Sequence, residues 1–230
     1  MTASPASPTP AVLLAGATGL VGRALLTELT HGPNATPVQA LVRRVPDDAA
    51  RFAGVGDRLH WLVVDHAALP ALPPARSAYC ALGTTIRIAG SQAAFRAVDH
   101  DAVLAFARAA RAAGARRLAV VSALGADAGS SVFYNRVKGE VEDALRGLGF
   151  ERLVIARPSL LVGDRRALGQ APRSGERLAI AITAPLAGLI PKAWRPIAAP
   201  VVAKAMRVAL AQPGPAVEVL ESGQLQELGR

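Results

Sequence analysis

The stretch Ala-Val-Leu-Leu-Ala-Gly-Ala-Thr-Gly-Leu-Val-Gly, residues 11–22, decides the fold of this 230-residue chain. Its apolar beginning, 11–15, is typical of a strand that is buried on both faces of a sheet. Glycines then recur at every third position, and an apolar pattern with helical spacing runs from Leu20 to Thr30. A strand, a glycine turn and a helix in this order predict a loop that cradles the diphosphate of a dinucleotide.

Each glycine of this turn has an expected task. Gly16 allows a tight turn, Gly19 lets the backbone approach a pyrophosphate, and Gly22 lets the helix pack closely on the strand. The helix N-terminus adds N–H donors and positive potential. A glycine trio alone also fits a plain turn before a helix, and the flanking strand and helix favour the binding loop. The expected phosphate-binding residues are Gly16, Thr18, Gly19, Leu20, Val21 and Gly22.

Two arginines at the end of the second predicted strand, 38–42, indicate which cofactor the loop serves. An acidic residue there would bind the ribose 2′-hydroxyl of NAD, whereas an arginine accommodates a 2′-phosphate. Arg43 and Arg44 hold this position, and no Asp or Glu follows before Asp47. Because a guanidinium matches phosphate oxygens, the sequence predicts NADP (NADPH) as the cofactor. The alternative is a solvated pair of arginines at a strand end.

The ends of the next two predicted strands offer further cofactor contacts. Asp65 follows the strand at 59–64, where its carboxylate can accept from the adenine amino group or cap the following turn. Leu82, Gly83 and Thr84 close the fourth strand and are expected to line a ribose of the cofactor.

Short apolar runs alternate with helical patterns along residues 11–157. Strands are expected at 11–15, 38–42, 59–64, 78–82, 118–121 and 153–156, and helices at 20–30, 92–113 and 132–148. This alternation predicts right-handed crossovers and one doubly wound parallel α/β sheet, the Rossmann fold.

Composition divides the chain into three parts. Residues 1–10 hold three prolines and are expected to be a disordered lead-in. Residues 11–157 form the predicted dinucleotide-binding core, and 158–230 a short C-terminal substrate lobe packed on the same domain. Helices are expected in that lobe at 178–189 and 200–210. The first of these is interpreted as core, with a substrate wall or a dimer contact as alternatives.

A tyrosine and a lysine four residues apart carry the expected chemistry. Tyr134 and Lys138 lie on one face of the helix predicted at 132–148. A free phenol ionises only near pH ~10, and a neighbouring ammonium favours the phenolate. Ser122, at the end of the fifth strand, can hydrogen-bond the substrate oxygen that Tyr134 protonates or deprotonates. Ser122, Tyr134 and Lys138 are therefore the catalytic candidates, and an ordinary helix surface is the alternative.

Composition also argues against several classes of protein. The single cysteine, Cys80, cannot form an internal disulfide, and the sequence has no Cys/His cluster for a structural zinc ion. The longest apolar stretch, 178–191, is interrupted by threonine, proline and glycine, so no membrane-spanning helix is expected. Residues 1–10 lack a basic residue and an apolar run, which argues against a secretory signal. We therefore expect a soluble cytoplasmic protein with neither a metal nor a membrane partner.

The net charge of +9 raises the question of nucleic-acid binding. Arginine supplies 23 of the 26 basic residues, scattered along the chain and never in a run of four, and aromatic residues make up 4%. Such a chain offers no continuous surface for phosphates and few side chains for bases to stack on. We therefore expect a small-molecule substrate and no nucleic-acid partner.

Four fragments give the chain a family resemblance. They are 41–44 (Leu-Val-Arg-Arg), 80–85 (Cys-Ala-Leu-Gly-Thr-Thr), 133–142 and 157–165. Together with the glycine turn they resemble the atypical and extended branch of the short-chain dehydrogenases/reductases, and more closely the Tat-interacting-protein-like oxidoreductases. The resemblance implies a Rossmann fold with NADPH, Ser122, Tyr134 and Lys138 as the catalytic triad, and Pro158 in a loop beside the nicotinamide.

One expected feature of the long-chain relatives is missing. They carry an Asn that relays protons in the helix before the fifth strand, and this chain has Ala-Val-Asp-His-Asp at 97–101. Two functions therefore stay open: an NADPH-dependent oxidoreductase acting on a small carbonyl or alcohol, and a non-catalytic NADPH-binding sensor or regulatory partner. An isomerase with transient hydride transfer is a third. The sequence does not name the substrate, and a homodimer is compatible with it.

Overall fold

The computed structural model describes residues 11–31, 35–162 and 194–230, and its largest element is a sheet of seven parallel strands. In chain order these strands are β1 (Ala11–Ala15), β2 (Val38–Val42), β3 (Leu59–Val63), β4 (Ala75–Cys80), β5 (Arg117–Val121), β6 (Arg152–Arg157) and, after two short strands, β9 (Val217–Glu221). The short strands β7 (Leu161–Val162) and β8 (Ile197–Ala198) pair with each other in a second small sheet.

The helices lie between and beyond these strands. They are α1 (Leu20–Thr30), α2 (Ile86–Ala89), α3 (Gln92–Arg96), α4 (Val103–Ala112), α5 (Phe133–Arg146), α6 (Ala199–Ala211) and α7 (Ser222–Leu228). A π-helical turn, Ala97–Ala102, joins α3 to α4, so the single helix predicted at 92–113 contains a widened turn. A 3₁₀ segment, Ala49–Arg58, precedes β3.

The strand order places a crevice beside the glycine turn. The order is β3-β2-β1-β4-β5-β6-β9, so the chain runs outward in one direction from β1 and then returns to start again at β4. At such a reversal the connections on either side diverge and leave a crevice at the carboxyl ends of the strands. The predicted Rossmann fold is confirmed, and the crevice opens where β1 and β4 end.

Both faces of the sheet are buried. In β1, Val12 and Leu14 face one apolar layer, which includes α1 and α6, and Leu13 faces the other, which includes α4 and α5. Strands covered on both faces read as continuous apolar runs, which is why 11–15 is recognisable from the sequence. Each fully buried leucine contributes about 1.5–3 kcal/mol.

Residues beyond 158 contribute more to the sheet than the sequence pattern indicated. Helix α6 confirms the helix expected at 200–210 and packs beside α1. The strand β9 pairs with β6 as a seventh strand, with Leu153 opposite Val217. Its pattern, Val-Glu-Val-Leu-Glu, lacks a continuous apolar run because Glu218 and Glu221 pair with arginines of β6. The predicted lead-in at 1–10 and the helix at 178–189 lie outside the described residues.

Candidate functional site

Two glycines of the turn stand where no side chain fits. Gly16 has a φ of +82°, and a Cβ there would lie 2.4 Å from the Ala81 carbonyl carbon. A Cβ on Gly22 would lie 2.0 Å from the carbonyl oxygen of Gly16. The turn can therefore pass between β4 and α1 only with glycine at both positions.

The first turn of α1 lines the crevice, and its N-cap residue makes no side-chain hydrogen bond to the N–H groups of this turn. The N-cap is Gly19, and the first turn holds no acidic residue. The first N–H groups of a helix have no partner within the helix and attract anions. The glycine cradle and this helix end fit the diphosphate of a dinucleotide.

A cleft of about 1310 Å³ lies at the carboxyl ends of the central strands, and it collects nearly all of the site residues expected from the sequence. Two of those residues lie elsewhere: Gly22 lies beneath the turn, and Arg44 is exposed outside the cleft lining. The expected residues that line the cleft are Gly16, Thr18, Gly19, Leu20, Val21, Arg43, Asp65, Leu82, Gly83, Thr84, Ser122, Tyr134, Lys138 and Pro158.

One end of the cleft is formed by the ends of β2 and β3. Arg43 lines it, whereas the acidic Asp48, farther along the chain, is held away from it by both terminal nitrogens of Arg23 at 2.6 Å. The Oδ1 of Asp65 accepts from the Ala67 N–H at 2.9 Å, so this carboxylate caps the next turn while it lines the cleft.

His66, beside Asp65, lines the cleft, although its isolation in the sequence argues against a catalytic or metal-binding role. Its Nδ1 is buried and has no hydrogen-bond partner in the described part of the chain. Burial and the nearby positive charge of Arg43 hold the pKa of His66 below its usual value. This end of the cleft therefore presents a guanidinium and a neutral imidazole.

The other end of the cleft holds Tyr134 and Lys138 on α5. The ring of Tyr134 packs against the buried Phe95 of α3, with 5.4 Å between ring centroids. The Lys138 Nζ lies 2.8 Å from Asp99 Oδ1, and both side chains are buried. The other oxygen of Asp99 accepts from the Thr84 N–H at 2.8 Å.

The buried Lys138 keeps its charge because of its neighbours. Burial disfavours the ammonium, but the Asp99 carboxylate and the Tyr134 phenol favour it more, so the pKa of Lys138 is raised. The neighbouring thiol behaves in the opposite way, since burial raises the pKa of Cys80 to about 12 and keeps it neutral. Cys80 is thus a buried apolar side chain on a strand, with a thiol too weakly acidic for a nucleophile.

Ser122 lies at the end of β5 with its proton already engaged. Its Oγ donates to Glu142 Oε1 at 2.5 Å. Arg157 holds the same carboxylate with two nitrogens, at 2.9 and 2.6 Å, and reaches Glu221 with a third. The Ser122 hydroxyl can therefore accept a hydrogen bond on the cleft side, whereas the sequence reading gave it no partner within the protein.

Sequence reasoning missed two buried acids of the site, Asp99 and Glu142, which are each 1% exposed. Asp99 lies in the stretch 97–101, where an Asn was sought and the acid was passed over. The sequence does contain a signal for the burial of Asp99. At helical spacing, Asp99 falls on the same apolar face as Phe95 and Phe106. Glu142 follows Lys138 by four residues, on the same face of α5.

The described residues set some limits on other sites. None of their helices is long and apolar enough to cross a membrane. Within the same part of the chain, no three His, Cys, Asp or Glu side chains come together as metal ligands.

Residues 16–172 match the model of a family described as NAD(P)H-binding. This span includes the glycine turn and every cleft residue named above. The match supports a nicotinamide nucleotide as the cofactor of the chain.

Relatives of known name resemble the chain over most of its length. Protein HTATIP2 of Rattus norvegicus is 36% identical over 95% of this chain and 89% of its own. The protein named "fmp52, mitochondrial" of Emericella nidulans is 40% identical over 67% of this chain and 68% of its own. Its counterpart in Eremothecium gossypii, with the same name, is 38% identical over 66% and 67%.

The names of the fungal relatives correct the expected localisation. They are called mitochondrial, and this overturns the prediction of a cytoplasmic protein. That prediction rested on arguments against a disulfide-stabilised, membrane-spanning or secreted protein, and none of these arguments distinguishes the cytoplasm from an organelle.

Solved structures share the fold at low sequence identity. An oxidoreductase of the short-chain dehydrogenase/reductase family from Burkholderia thailandensis superposes with a TM-score of 0.65, at 18% identity, over 95% of this chain and 94% of its own. MoeE5 in complex with UDP-glucose and NAD gives a TM-score of 0.67, at 19% identity, over 91% and 74%. At these identities the likeness supports the Rossmann fold alone.

Proposed function

This chain belongs to the NAD(P)H-binding family, and from that membership we propose an NADP(H)-dependent oxidoreductase of the atypical short-chain dehydrogenase/reductase type. Its proposed reaction is hydride transfer to or from a small carbonyl or alcohol. Tyr134 gives or takes the proton at the substrate oxygen, with Lys138 beside it.

One observation carries this proposal: a single cleft contains both the phosphate-binding turn and the Tyr134–Lys138 pair. The turn lies at the end of β1, and the pair lies on α5, more than 110 residues later in the chain. A protein that only held a nucleotide would have no need of a phenol and a buried ammonium at the far end of the cleft. Their presence there favours chemistry at the end of a bound cofactor.

The proposed role of each catalytic residue follows from its position in the cleft. When bound, the nicotinamide supplies or accepts the hydride. Tyr134 is half-buried and opens to the cleft, so its hydroxyl can reach a substrate oxygen. Lys138, held in its charged form, stabilises negative charge that develops on the phenol oxygen. Ser122 lines the same end and can accept a hydrogen bond there.

Two features of the cleft support NADP over NAD. Arg43 lines the end formed by β2 and β3, and the carboxylate of Asp48 is occupied by Arg23. A guanidinium without a carboxylate at this position suits a 2′-phosphate. Asp65 and the stretch 82–84 are proposed as adenine and ribose contacts, and Pro158 as a contact near the nicotinamide.

The rim of the cleft indicates a substrate of low polarity. Ile88, Leu160 and Trp194 line the cleft with substantial exposure, and the Trp194 side chain is 67% exposed. Of the charged side chains in the described lining, Lys138 and Asp99 are buried, Arg43 and Asp65 lie at the cofactor end, and Asp101 is exposed beside His100. We propose small, uncharged aldehydes, ketones or quinones as substrates, because the large exposed side chains at this rim are apolar.

Substitution of Tyr134 by Phe tests the proposal. The variant keeps the ring contact with Phe95 and loses only the hydroxyl. We expect carbonyl reduction to fall by at least about 100-fold, because loss of general acid catalysis costs 10²–10⁴-fold. NADPH affinity, measured by fluorescence titration, is expected to stay within about twofold. Full turnover by Tyr134→Phe with a panel of small aldehydes and quinones would rule out this role for Tyr134.

A second function is favoured by the engagement of Ser122 with Glu142. While the Ser122 hydroxyl donates its proton to the buried Glu142 carboxylate, it cannot donate to a substrate oxygen. A nucleotide sensor that catalyses no reaction would not need this donor. The same panel separates the two functions. A sensor binds NADPH and reduces no compound in the panel, in wild type and in Tyr134→Phe alike.

A further inference from the structure

The contact between Lys138 and Asp99 has an unusual setting. Both side chains are almost fully buried, at 4% and 1% exposure, and their charged atoms are 2.8 Å apart. Burial of a lone ammonium lowers the pKa of a lysine by up to several units. An ion pair compensates for this only when its geometry is good and its remaining acceptor is satisfied. Here the remaining acceptor binds the Thr84 N–H.

The backbone around Asp99 is shaped to bring its carboxylate to this place. Asp99 lies in the π-helical turn Ala97–Ala102, and such turns frequently occur at functional sites. On the opposite side stands Gly83, where a Cβ would lie 3.3 Å from Asp99 Oδ1 and 3.9 Å from Lys138 Nζ. A side chain at that position would crowd the pair, so the loop after β4 and the π turn together form its pocket.

Few other charges act on Lys138 from the elements packed around it. Tyr134 faces it from its own helix, and Cys80 faces it from β4 as a neutral thiol. Glu142, one turn further along α5, is occupied by Ser122 and Arg157. Asp99 is thus the carboxylate that compensates the charge of Lys138 within the described part of the chain.

We infer that Asp99 is a positioning residue, which holds Lys138 in its ammonium form behind Tyr134 and ties it to the Thr84 backbone. This inference rests on the proposed function for its catalytic meaning, but the charge state of Lys138 can be measured without turnover. The ion pair of Lys138 and Asp99 takes the place of the Asn that relays protons in the long-chain relatives. It also gives the loop at 82–84 a fixed position relative to the catalytic pair.

The sequence makes a direct measurement practical, because it contains only three lysines: Lys138, Lys192 and Lys204. Lysine labelled with ¹³C at Cε gives three resonances, which Lys138→Met and Lys204→Met assign. In the wild-type chain we expect the Lys138 resonance to stay unchanged from pH 6 to pH 10, because the Asp99 carboxylate favours its ammonium form. A wild-type Lys138 that titrates below pH 9 would overturn the inference, and this needs no variant of Asp99.

The variant Asp99→Asn removes the charge at nearly constant shape. We expect its Lys138 to titrate below pH 9, at least one unit under the wild type. If the variant folds and its Lys138 resonance does not move below pH 10, Asp99 is not the source of the charge. Asp99→Glu restores the carboxylate and is expected to return the titration toward the wild-type range.

Turnover gives a second and separable readout. With a carbonyl substrate of the wild type, Asp99→Asn should keep at least a third of kcat at pH 6 and lose about tenfold between pH 7 and pH 9. A merely structural loss would lower kcat by the same factor at every pH and would contradict a charge-holding role. If the wild type reduces no carbonyl while the NMR result holds, the proposed function fails and the ion pair stands.

Discussion

Arg43 is the side chain on which the proposed cofactor preference depends. It lines the cleft at the end of β2, and no described carboxylate occupies it there. Exchange for alanine removes a charge-assisted hydrogen bond of about 1.5–3 kcal/mol. We expect Arg43→Ala to weaken NADPH binding about 10–100-fold and to change NADH binding by less than about threefold.

The matched control for Arg43 is Arg111, an exposed arginine on the last turn of α4 that reaches the Gly149 carbonyl away from the cleft. Arg111→Ala should leave both affinities unchanged. Fluorescence titration of the two variants with both cofactors measures this. Equal losses for NADPH and NADH in Arg43→Ala would refute the assignment to the 2′-phosphate.

Arg157 stabilises a buried carboxylate behind the site. Glu142 is 1% exposed and receives two hydrogen bonds from Arg157, while Arg146 approaches it only at 3.4 Å. Removal of one partner from a buried pair leaves an uncompensated charge and costs about 3–5 kcal/mol. We expect Arg157→Met to lower the free energy of unfolding by about this amount, as measured by urea denaturation.

The exposed pair of Arg116 and Glu151 provides the comparison. Its side chains are 69% and 57% exposed, and exposed ion pairs contribute about 0–1 kcal/mol. Arg116→Met should therefore change the unfolding free energy by less than about 1 kcal/mol. Similar losses of unfolding free energy in the two variants would show that the buried network stabilises the fold no more than an exposed ion pair does.

At the scale of the element, the strand, turn and helix of residues 11–30 form one unit whose geometry depends on Gly22. A methyl group there would lie 2.0 Å from the Gly16 carbonyl oxygen, so α1 would have to move away from the turn. We expect Gly22→Ala to cost about 1–3 kcal/mol of stability through overpacking. NADPH affinity should fall at least tenfold, because the helix N-terminus no longer faces the same point.

Gly54 is the control for this substitution, since a Cβ there would meet no atom within 4 Å. Gly54→Ala should leave the unfolding free energy within about 0.5 kcal/mol of the wild type. Urea denaturation and cofactor titration of both variants decide the point. A Gly22→Ala protein with unchanged affinity would show that the turn does not hold the diphosphate.

Elements that depend on local sequence were predictable, and those that depend on distant partners were less so. The helix α1 has the predicted bounds, because its glycine turn and leucine spacing are local signals. The strand β9 was missed because its two glutamates are compensated by arginines of β6, about 65 residues earlier. The π turn at Ala97–Ala102 was missed for a similar reason, since its buried acid pairs with a lysine of another helix.

At the scale of the whole molecule, the parallel sheet brings the site together. The ends of β1, β2, β4 and β5 lie at one edge, because parallel strands point the same way. The sequence therefore predicted many of the lining residues that follow these strand ends, but not those on α2, α3 and the π turn. The direction of the Ser122 hydroxyl and the partner of Lys138 could not be predicted, because both depend on how α3, α4 and α5 pack over that edge.

We propose above all that this cleft binds a reduced nicotinamide dinucleotide with a 2′-phosphate. Calorimetric titration of the full chain with NADPH and with NADH, at one ionic strength, tests it most directly. We expect one NADPH per chain, bound at least about tenfold more tightly than NADH, a difference of about 1.4 kcal/mol. A chain that binds neither nucleotide, or that prefers NADH, would contradict the claim.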